Sequence, residues 1–217
     1  MLFIALEGID GSGKGTQAKL LCSWLRDKGY SCYLTAEPTD NNIGRLIREY
    51  LKEDNFDPRA IALLFAADRS LHIKDILSKL HSGNMIITER YFYSSLAYQG
   101  ALGINIDWLE EINSFAPEAD IVFYLDIEPE EAIKRMSSLN SFRNIREKES
   151  YEKEEFLRRV RQNYLKLAEE KEQFNVIDAS KSIREVQTDI RRRLGRILSF
   201  IEEEKKKGRQ TRLEDLL

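Results

Sequence analysis

Cysteine, proline and histidine are scarce in this sequence. Its 217 residues include two cysteines, four prolines and two histidines. Cys22 and Cys32 show no CxxC spacing, so a zinc site built from cysteine and histidine is excluded, and a disulfide framework is not expected in a chain of this size. We expect two buried thiols in a reducing cytoplasm. The few prolines, and the lack of any Pro- or Ser-rich stretch, argue against a linker between domains.

Long apolar runs are also absent. No segment approaches the ~18 consecutive apolar residues that a membrane-spanning helix needs. The first residues, MLFIALE, contain no basic region and their apolar run ends at Glu7, which is not the pattern of a signal peptide. The expectation is a cytoplasmic protein that does not associate with membranes.

The chain has no excess of positive charge. Its 34 Lys and Arg residues are outnumbered by 37 Asp and Glu residues, so bulk charge gives no reason to expect nucleic-acid binding. The basic cluster at 205–209 permits a nucleic-acid patch, but its acidic neighbours favour a solvated helix end. Hydrophobic residues make up 42% of the chain, which excludes an intrinsically disordered protein.

Short apolar runs alternate with helical patterns along the chain. Strands are predicted at 2–6, 31–36, 84–88, 121–126 and 174–178. Helices are predicted at 14–28, 43–53, 58–81, 91–100, 107–114, 129–136, 151–171 and 182–204. This alternation predicts a three-layer α/β/α fold in which helices cover both faces of a five-stranded, mostly parallel sheet.

Two segments depart from this alternation. Residues 137–150 are polar and charged with little apolar periodicity, and they are expected to form a mobile lid inside a single domain that spans residues 1–200. A solvated charged loop is the alternative for this segment. Residues 201–217 are expected to form a charged, helical C-terminal tail.

The turn after the first strand carries the strongest motif. Residues 8–16, GIDGSGKGT, fit the P-loop pattern G-x-x-x-x-G-K-[ST] except that Gly15 stands at the last position and Thr16 follows it. Glycines let backbone N–H groups surround an anion, and the helix that begins near Lys14 directs its positive end at the same point. The motif predicts nucleoside triphosphate binding. The predicted phosphate-binding residues are Gly8, Ile9, Asp10, Gly11, Ser12, Gly13, Lys14, Gly15 and Thr16.

The missing hydroxyl at position 15 bears on the metal. In most P-loop proteins a Ser or Thr there ligates Mg²⁺. The form GSGKGTQ is similar to adenylate kinases, in which glycine follows the lysine and threonine comes next. The magnesium ion is therefore assigned to Thr16 and Glu89, directly or through water.

Two further constellations suit an acceptor site. Arg90 follows the strand at 84–88, and ligands of open parallel sheets bind at the carboxyl ends of strands. Phe65 and Arg69 are four residues apart on a predicted helix, so a ring and a guanidinium share one face and suit a flat base. The alternatives are an aromatic helix that packs into the core at 91–100, and a core Phe65 beside a surface Arg69.

Several segments occur in an order typical of one enzyme family. They are GIDGSGKGTQ, Glu37-Pro38, LLFAADR, ERYFYSSLAYQG, ADIVFYLD, RRVRQNYLKLA and VIDAS. Together they resemble thymidylate kinase over about residues 2–190, and ERYFYSSLAYQ is the most specific of them. The resemblance implies a homodimer that transfers the γ-phosphoryl group of ATP to dTMP, giving dTDP and ADP.

The resemblance also implies residue roles. Phe65 would stack on thymine, Arg69 would reach the exocyclic oxygen of the base, and Arg90 would hold the acceptor phosphate. The implied dTMP-binding residues are Asp10, Pro38, Phe65, Arg69, Arg90, Ser94, Ser95, Tyr98 and Gln99. Ala179 and Ser180 would receive adenine and complete the ATP-binding set. The implied catalytic residues are Lys14, Asp10, Arg90, Arg143 and Arg146. The family carries a catalytic arginine in the P-loop or in the lid; Ser12 occupies the P-loop position, so the lid must supply it.

The sequence departs from the family pattern around the second strand. Ala36 stands where many relatives have arginine, no arginine follows Pro38, and Glu89 replaces the commoner aspartate. The resemblance places Glu37 close to the metal. The altered segment at 36–40 leaves open a kinase for dUMP or another pyrimidine nucleotide, and a non-catalytic NTP-binding module is the alternative from a different class.

Overall fold

One five-stranded sheet forms the centre of the molecule. The computed structural model describes residues 1–53, 56–138 and 147–206. The strands are β1 (Phe3–Glu7), β2 (Cys32–Ala36), β3 (Met85–Glu89), β4 (Ile121–Asp126) and β5 (Phe174–Asp178). They lie in the order β2-β3-β1-β4-β5, and each neighbouring pair is parallel.

Helices cover both faces of this sheet. They are α1 (Lys14–Asp27), α2 (Asn42–Tyr50), α3 (Pro58–His81), α4 (Phe92–Ala101), α5 (Ile106–Glu111), α6 (Pro129–Ser138), α7 (Glu147–Glu170) and α8 (Ile183–Lys206). Helices α1 and α8 pack together on one face, and α3, α4 and α7 pack on the other. The predicted three-layer α/β/α fold is confirmed. None of the described helices is long and apolar enough to cross a membrane.

The central strands are apolar on both faces because both faces are covered. Every residue of β1 is buried, as are the first five residues of β4. Side-chain caps fix where the flanking helices begin. The Asn41 carboxamide accepts from Gly44 N at 2.9 Å at the start of α2, and Asp57 accepts from Arg59 N at 2.7 Å at the start of α3. Pro58 then occupies the first position of α3, where its missing N–H costs nothing.

Two described helices enter the segment 137–150 that the sequence predicts as a lid. Helix α6 continues to Ser138, and α7 begins at Glu147 rather than at 151. Arg143 and Arg146 lie outside the described residues, so their role stays a prediction. Helix α8 extends to Lys206, and the rest of the predicted tail also lies outside.

The strand order places a crevice beside β1. The chain leaves β1 for β2 and β3 on one side, and for β4 and β5 on the other. In open parallel sheets, ligands bind at the carboxyl ends of strands where this direction changes. The P-loop follows β1 directly, and Arg90 follows β3, so the fold brings the two predicted half-sites to one edge of the sheet.

Candidate active site

The P-loop wraps the end of β1 and leads into α1. Gly11 has a φ of 85°, and a Cβ there would lie 2.4 Å from the Ala132 carbonyl oxygen, so only glycine fits. The Lys14 side chain is buried and its Nζ donates to the Ile9 carbonyl at 2.8 Å. The Lys14 ammonium group is therefore held against the backbone of the P-loop.

A cavity of about 730 Å³ opens over this loop. Of the predicted ATP-binding residues, 10–16 and Ala179 line it. Gly8, Ile9 and Ser180 do not: Ile9 is buried and supplies the carbonyl for Lys14, while the Ser180 hydroxyl donates to Asp178 at 2.5 Å. Glu89 lines the same cavity. We refer to it below as the donor cavity.

A second cavity, of about 180 Å³, lies between the P-loop, α3 and α4. All nine residues predicted to bind the acceptor line it: Asp10, Pro38, Phe65, Arg69, Arg90, Ser94, Ser95, Tyr98 and Gln99. Glu37, Leu51 and Tyr91 complete the lining. We refer to it as the acceptor cavity. Phe65 is half-buried at its wall rather than in the core, and Arg69 is 1% exposed rather than on the surface.

A cluster of three side chains separates the two cavities. Arg90 Nη2 donates to Asp10 Oδ1 at 2.6 Å and to the Tyr98 hydroxyl at 3.0 Å. The guanidinium also lies 4.7 Å from the centre of the Tyr98 ring, in a cation–π contact. Asp10 N donates to the same hydroxyl at 3.0 Å. The Arg90 backbone has a φ of 66°, an uncommon conformation for a side-chain-bearing residue that costs about 1–3 kcal/mol and occurs often at functional sites.

The buried Arg69 guanidinium is paired with Glu37. Glu37 Oε2 accepts from Arg69 Nε at 2.9 Å and from Nη2 at 2.6 Å. Glu37 Oε1 bonds to His72 Nδ1 at 3.0 Å. The expectation that Glu37 lies close to the metal stays a prediction. A cation buried this deeply needs a counter-ion, and both oxygens of Glu37 are used in supplying it and in binding His72.

Comparison with known proteins decides the family. The sequence model of the thymidylate kinase family matches residues 6–190 of this chain. A probable thymidylate kinase of Pyrococcus horikoshii is 46% identical over 198 residues, covering 87% of this chain and 93% of that protein. Similar proteins of Pyrococcus abyssi (47% over 195 residues, covering 87% and 93%) and Methanococcus aeolicus (43% over 198 residues, covering 88% and 95%) carry the same name. This chain belongs to the thymidylate kinase family. The resemblance seen in the sequence is confirmed.

The departure from the P-loop pattern at Gly15 has a structural reason in this member of the thymidylate kinase family. A Cβ at position 15 would lie 2.7 Å from Glu89 Oε2. The Glu89 carboxylate thus occupies the space that a serine or threonine side chain would take. Both Glu89 and the exposed Thr16 line the donor cavity. A carboxylate and a hydroxyl therefore remain at the loop although the usual hydroxyl is missing.

Sequence reasoning missed Glu7, the last residue of β1. Its carboxylate is fully buried and accepts from Tyr91 N at 2.8 Å, from the Ser94 hydroxyl at 2.7 Å and from the Tyr164 hydroxyl at 2.8 Å. Burial raises its pKa, although these donors oppose the shift. Ser94 also accepts from Arg90 Nη1 at 2.9 Å, so Glu7 helps to fix Arg90. The Ser94 hydroxyl hydrogen is thus used in the bond to Glu7 and is not free for a base. The predicted approach of Ser94 to the base stays a prediction.

Arg135 on α6 was also missed. Its guanidinium donates to the carbonyls of Ala179 at 2.9 Å and Ser180 at 3.1 Å, and the residue lines the donor cavity. These bonds join α6 to the loop after β5. No local motif marks Arg135, because its partners lie more than forty positions away in the sequence.

The charges at the P-loop perturb one another. Burial and then the nearby Arg90 lower the pKa of Lys14 to about 8, against the opposing influence of Asp10. Desolvation would raise the pKa of the Asp10 carboxyl, but Arg90 and Lys14 outweigh it and hold that pKa below its ordinary value. In the free protein, the charge of Lys14 therefore depends on pH near neutrality, whereas Asp10 stays ionised.

This perturbation predicts a pH dependence. Lys14 carries its charge below its pKa of about 8 and loses it as the pH rises through that value. A neutral amine cannot stabilise phosphate oxygens, so we expect kcat/KM for ATP to fall about tenfold for each pH unit well above 8. A steady-state pH profile from 6 to 10 measures it. A flat profile across this range would contradict the assignment of the charge to Lys14.

Proposed function

We propose that this chain transfers the γ-phosphoryl group of ATP to dTMP, giving dTDP and ADP. One observation carries the proposal: the donor and acceptor cavities meet at Asp10, which lines both. Arg90 lies in the acceptor cavity beside Asp10, and Lys14 lies in the donor cavity. An acceptor phosphate held by Arg90 would thus lie next to a triphosphate held by the P-loop, as in-line transfer requires.

Phosphoryl transfer depends on positioning and positive charge more than on covalent chemistry. Lys14 contributes a point charge at the P-loop, and Arg90 contributes a planar fork suited to two oxygens of one phosphate. The lid arginines Arg143 and Arg146 are proposed to add charge and to exclude water when the segment closes. Ala179, with Ser180 in the same loop, is proposed to border the adenine, and Arg135 joins this group.

Recognition of the base follows from unused hydrogen-bonding groups of the acceptor cavity. Gln99 is buried, and its amide oxygen has no donor among the described residues. The N3–H of thymine or uracil supplies such a donor, whereas N3 of cytosine can only accept. Phe65 offers a face for the ring, and Leu51 with Pro38 offers apolar contact for a 5-methyl group. This pattern favours thymine over cytosine.

Magnesium is proposed as the metal. It is usually bound by one or two protein oxygens, several waters and the phosphates of the nucleotide. The hydroxyl of Thr16 and the carboxylate of Glu89 fit such a site, since both line the donor cavity. No cluster of three or more metal-ligating side chains occurs among the described residues, which suits a metal that is held largely by the substrate. When bound, the ion neutralises phosphate charge.

A homodimer in the cytoplasm is also proposed. Leucines on α2 and α3 are at least one third exposed. They are Leu46, Leu63, Leu71 and Leu77. An apolar helical surface of this kind favours self-association. The two cysteines are free and buried, in keeping with a reducing compartment.

An acceptor panel tests the proposed function. ADP release is measured with ATP and Mg²⁺ and with dTMP, dUMP, dCMP, UMP or AMP, beside a control without acceptor. The proposal predicts fast turnover with dTMP, slower turnover with dUMP and little with the others. Preference for dUMP would move the specificity to the alternative acceptor. ADP release that is independent of acceptor, or none at all, would favour an ATPase or a binding module.

Replacement of Phe65 by alanine tests the base-binding wall. Base–aromatic stacking contributes about 1–3 kcal/mol, so Phe65→Ala should raise KM for dTMP by roughly 5- to 150-fold and leave KM for ATP unchanged. Phe115→Ala is the matched control, because Phe115 is 48% exposed and lines neither cavity. An unchanged KM for dTMP in Phe65→Ala would assign this ring a structural role only.

A further inference from the structure

A chain of hydrogen bonds extends from the acceptor cavity into the protein behind it. Arg69, at the cavity wall, donates to Glu37 Oε2, and Glu37 Oε1 bonds to His72 Nδ1 at 3.0 Å. His72 Nε2 lies 2.7 Å from the Thr35 hydroxyl on β2. Arg69 and His72 are three positions apart on α3, so both face the same strand end. Neither side chain is more than 3% exposed.

The direction of each hydrogen in this chain follows from the groups involved. The carboxylate of Glu37, ionised beside Arg69, only accepts, so Nδ1 of His72 carries a hydrogen. Nε2 of a neutral ring then accepts from the Thr35 hydroxyl. Both ring nitrogens of His72 are therefore hydrogen-bonded, one to Glu37 and the other to Thr35. His72 binds Glu37 Oε1, the carboxylate oxygen that Arg69 does not bind.

The hydrogens of Arg69 are almost all committed. A guanidinium has five N–H groups. Nε and one Nη2 hydrogen bind Glu37, the other Nη2 hydrogen points towards Ser95 Oγ at 3.4 Å, and Nη1 binds the Asn113 carboxamide oxygen. One Nη1 hydrogen remains for a ligand in the cavity. Its direction depends on how Glu37 is oriented, because Glu37 accepts two of the other hydrogens.

We propose that His72 is a positioning residue for recognition of the base. By holding Glu37 Oε1, it fixes Arg69 so that the remaining Nη1 hydrogen meets a carbonyl oxygen at position 4 of a pyrimidine, an acceptor in thymine and a donor amine in cytosine. The inference rests on the proposed function and extends it, since it names what sets the preference for dTMP. His72 lines neither the donor nor the acceptor cavity, and it acts only through Glu37 and Arg69.

Two substitutions at one position separate this role from simple packing. The amide nitrogen of asparagine occupies the place of Nδ1, and that of glutamine occupies the place of Nε2. His72→Asn therefore keeps the donor to Glu37, whereas His72→Gln loses it and keeps only the contact with Thr35. When Arg69 is no longer held, its hydrogen bond to the base is lost, and loss of a hydrogen bond from a charged group corresponds to roughly a tenfold or larger loss of affinity. The exposed His81, at the end of the same helix, provides the control His81→Gln.

The experiment measures dTMP and dCMP affinities by calorimetry, KM for both nucleotide substrates, and the thermal midpoint. We expect His72→Gln to weaken dTMP binding about tenfold or more and to reduce the preference over dCMP, with KM for ATP unchanged. His72→Asn should restore most of that preference, and His81→Gln should match the wild type.

Three results would overturn the inference. Equal effects of the two His72 variants on dTMP affinity would do so. A folded His72→Asn that loses the preference for dTMP over dCMP would also do so, and this second test remains valid even if His72→Gln does not fold. A parallel rise of KM for ATP and dTMP with a lowered thermal midpoint would show a structural role. If the wild type itself binds dTMP no better than dCMP, the proposed function falls as well. If only the variants behave unexpectedly, the proposed function stands.

Discussion

Replacement of Lys14 by alanine is expected to lower kcat at least ~100-fold, because it removes a preorganised positive charge from the triphosphate site. The ammonium group is buried in the P-loop and bonded to the Ile9 carbonyl at 2.8 Å, so its position is fixed by the loop. Burial already lowers the pKa of this amine to about 8, which means that the buried charge lowers the stability of the folded protein. The thermal midpoint of the variant should therefore not fall in proportion to activity.

Steady-state kinetics with ATP and dTMP measure this loss. Lys28→Ala is the control, since Lys28 is exposed at the far end of the same helix. Wild-type turnover by Lys14→Ala would contradict the assignment of residues 8–16 as the triphosphate site. A loss of turnover in the control of similar size would instead point to the stability of α1.

Arg90→Ala should lower kcat/KM for dTMP by about 10²- to 10³-fold, because the acceptor phosphate would lose its charged partner. The guanidinium sits between Asp10 and Tyr98 at the wall of the acceptor cavity, where a phosphate would be its natural partner. Because Arg90 lies on the acceptor side, KM for dTMP should rise far more than KM for ATP. Arg90→Lys keeps the charge but loses the fork, so it should recover only part of the activity.

Arg192→Ala provides the matched control, because this arginine is on the exposed side of α8 and lines neither cavity. Isothermal titration of dTMP, together with both KM values, measures the effect. A rise confined to KM for ATP would show that Arg90 serves the donor nucleotide, and the acceptor cavity would then need another phosphate ligand.

The fold was predictable because short apolar strands alternating with helices permit few arrangements. The same regularity placed the P-loop after β1 and Arg90 after β3, at one edge of the sheet. Seven of the nine predicted acceptor residues belong to two motifs, LLFAADR and ERYFYSSLAYQ, which fix the faces of α3 and α4. The other two, Asp10 and Pro38, follow β1 and β2. The individual roles of all nine stay predictions.

The partners of buried charges were not predictable. Glu7 reads as the polar end of a strand, yet it bonds to Tyr164, which is 157 positions away. Glu37 follows β2, and only the packing of α3 shows that Arg69 and His72 approach it. Such contacts depend on tertiary placement, which neither periodicity nor a local motif encodes. The start of α7 was missed for a different reason: its first turn is charged and offers no apolar period.

Transfer of an isotopically labelled phosphoryl group tests the central claim most directly. The protein is incubated with Mg²⁺, dTMP and ATP that carries ¹⁸O in its γ-phosphoryl group, and the products are identified by mass spectrometry. The account predicts dTDP with the label in its β-phosphoryl group, formed in equal amount to ADP. Label recovered only in inorganic phosphate, or ATP left intact beside unchanged dTMP, would contradict it.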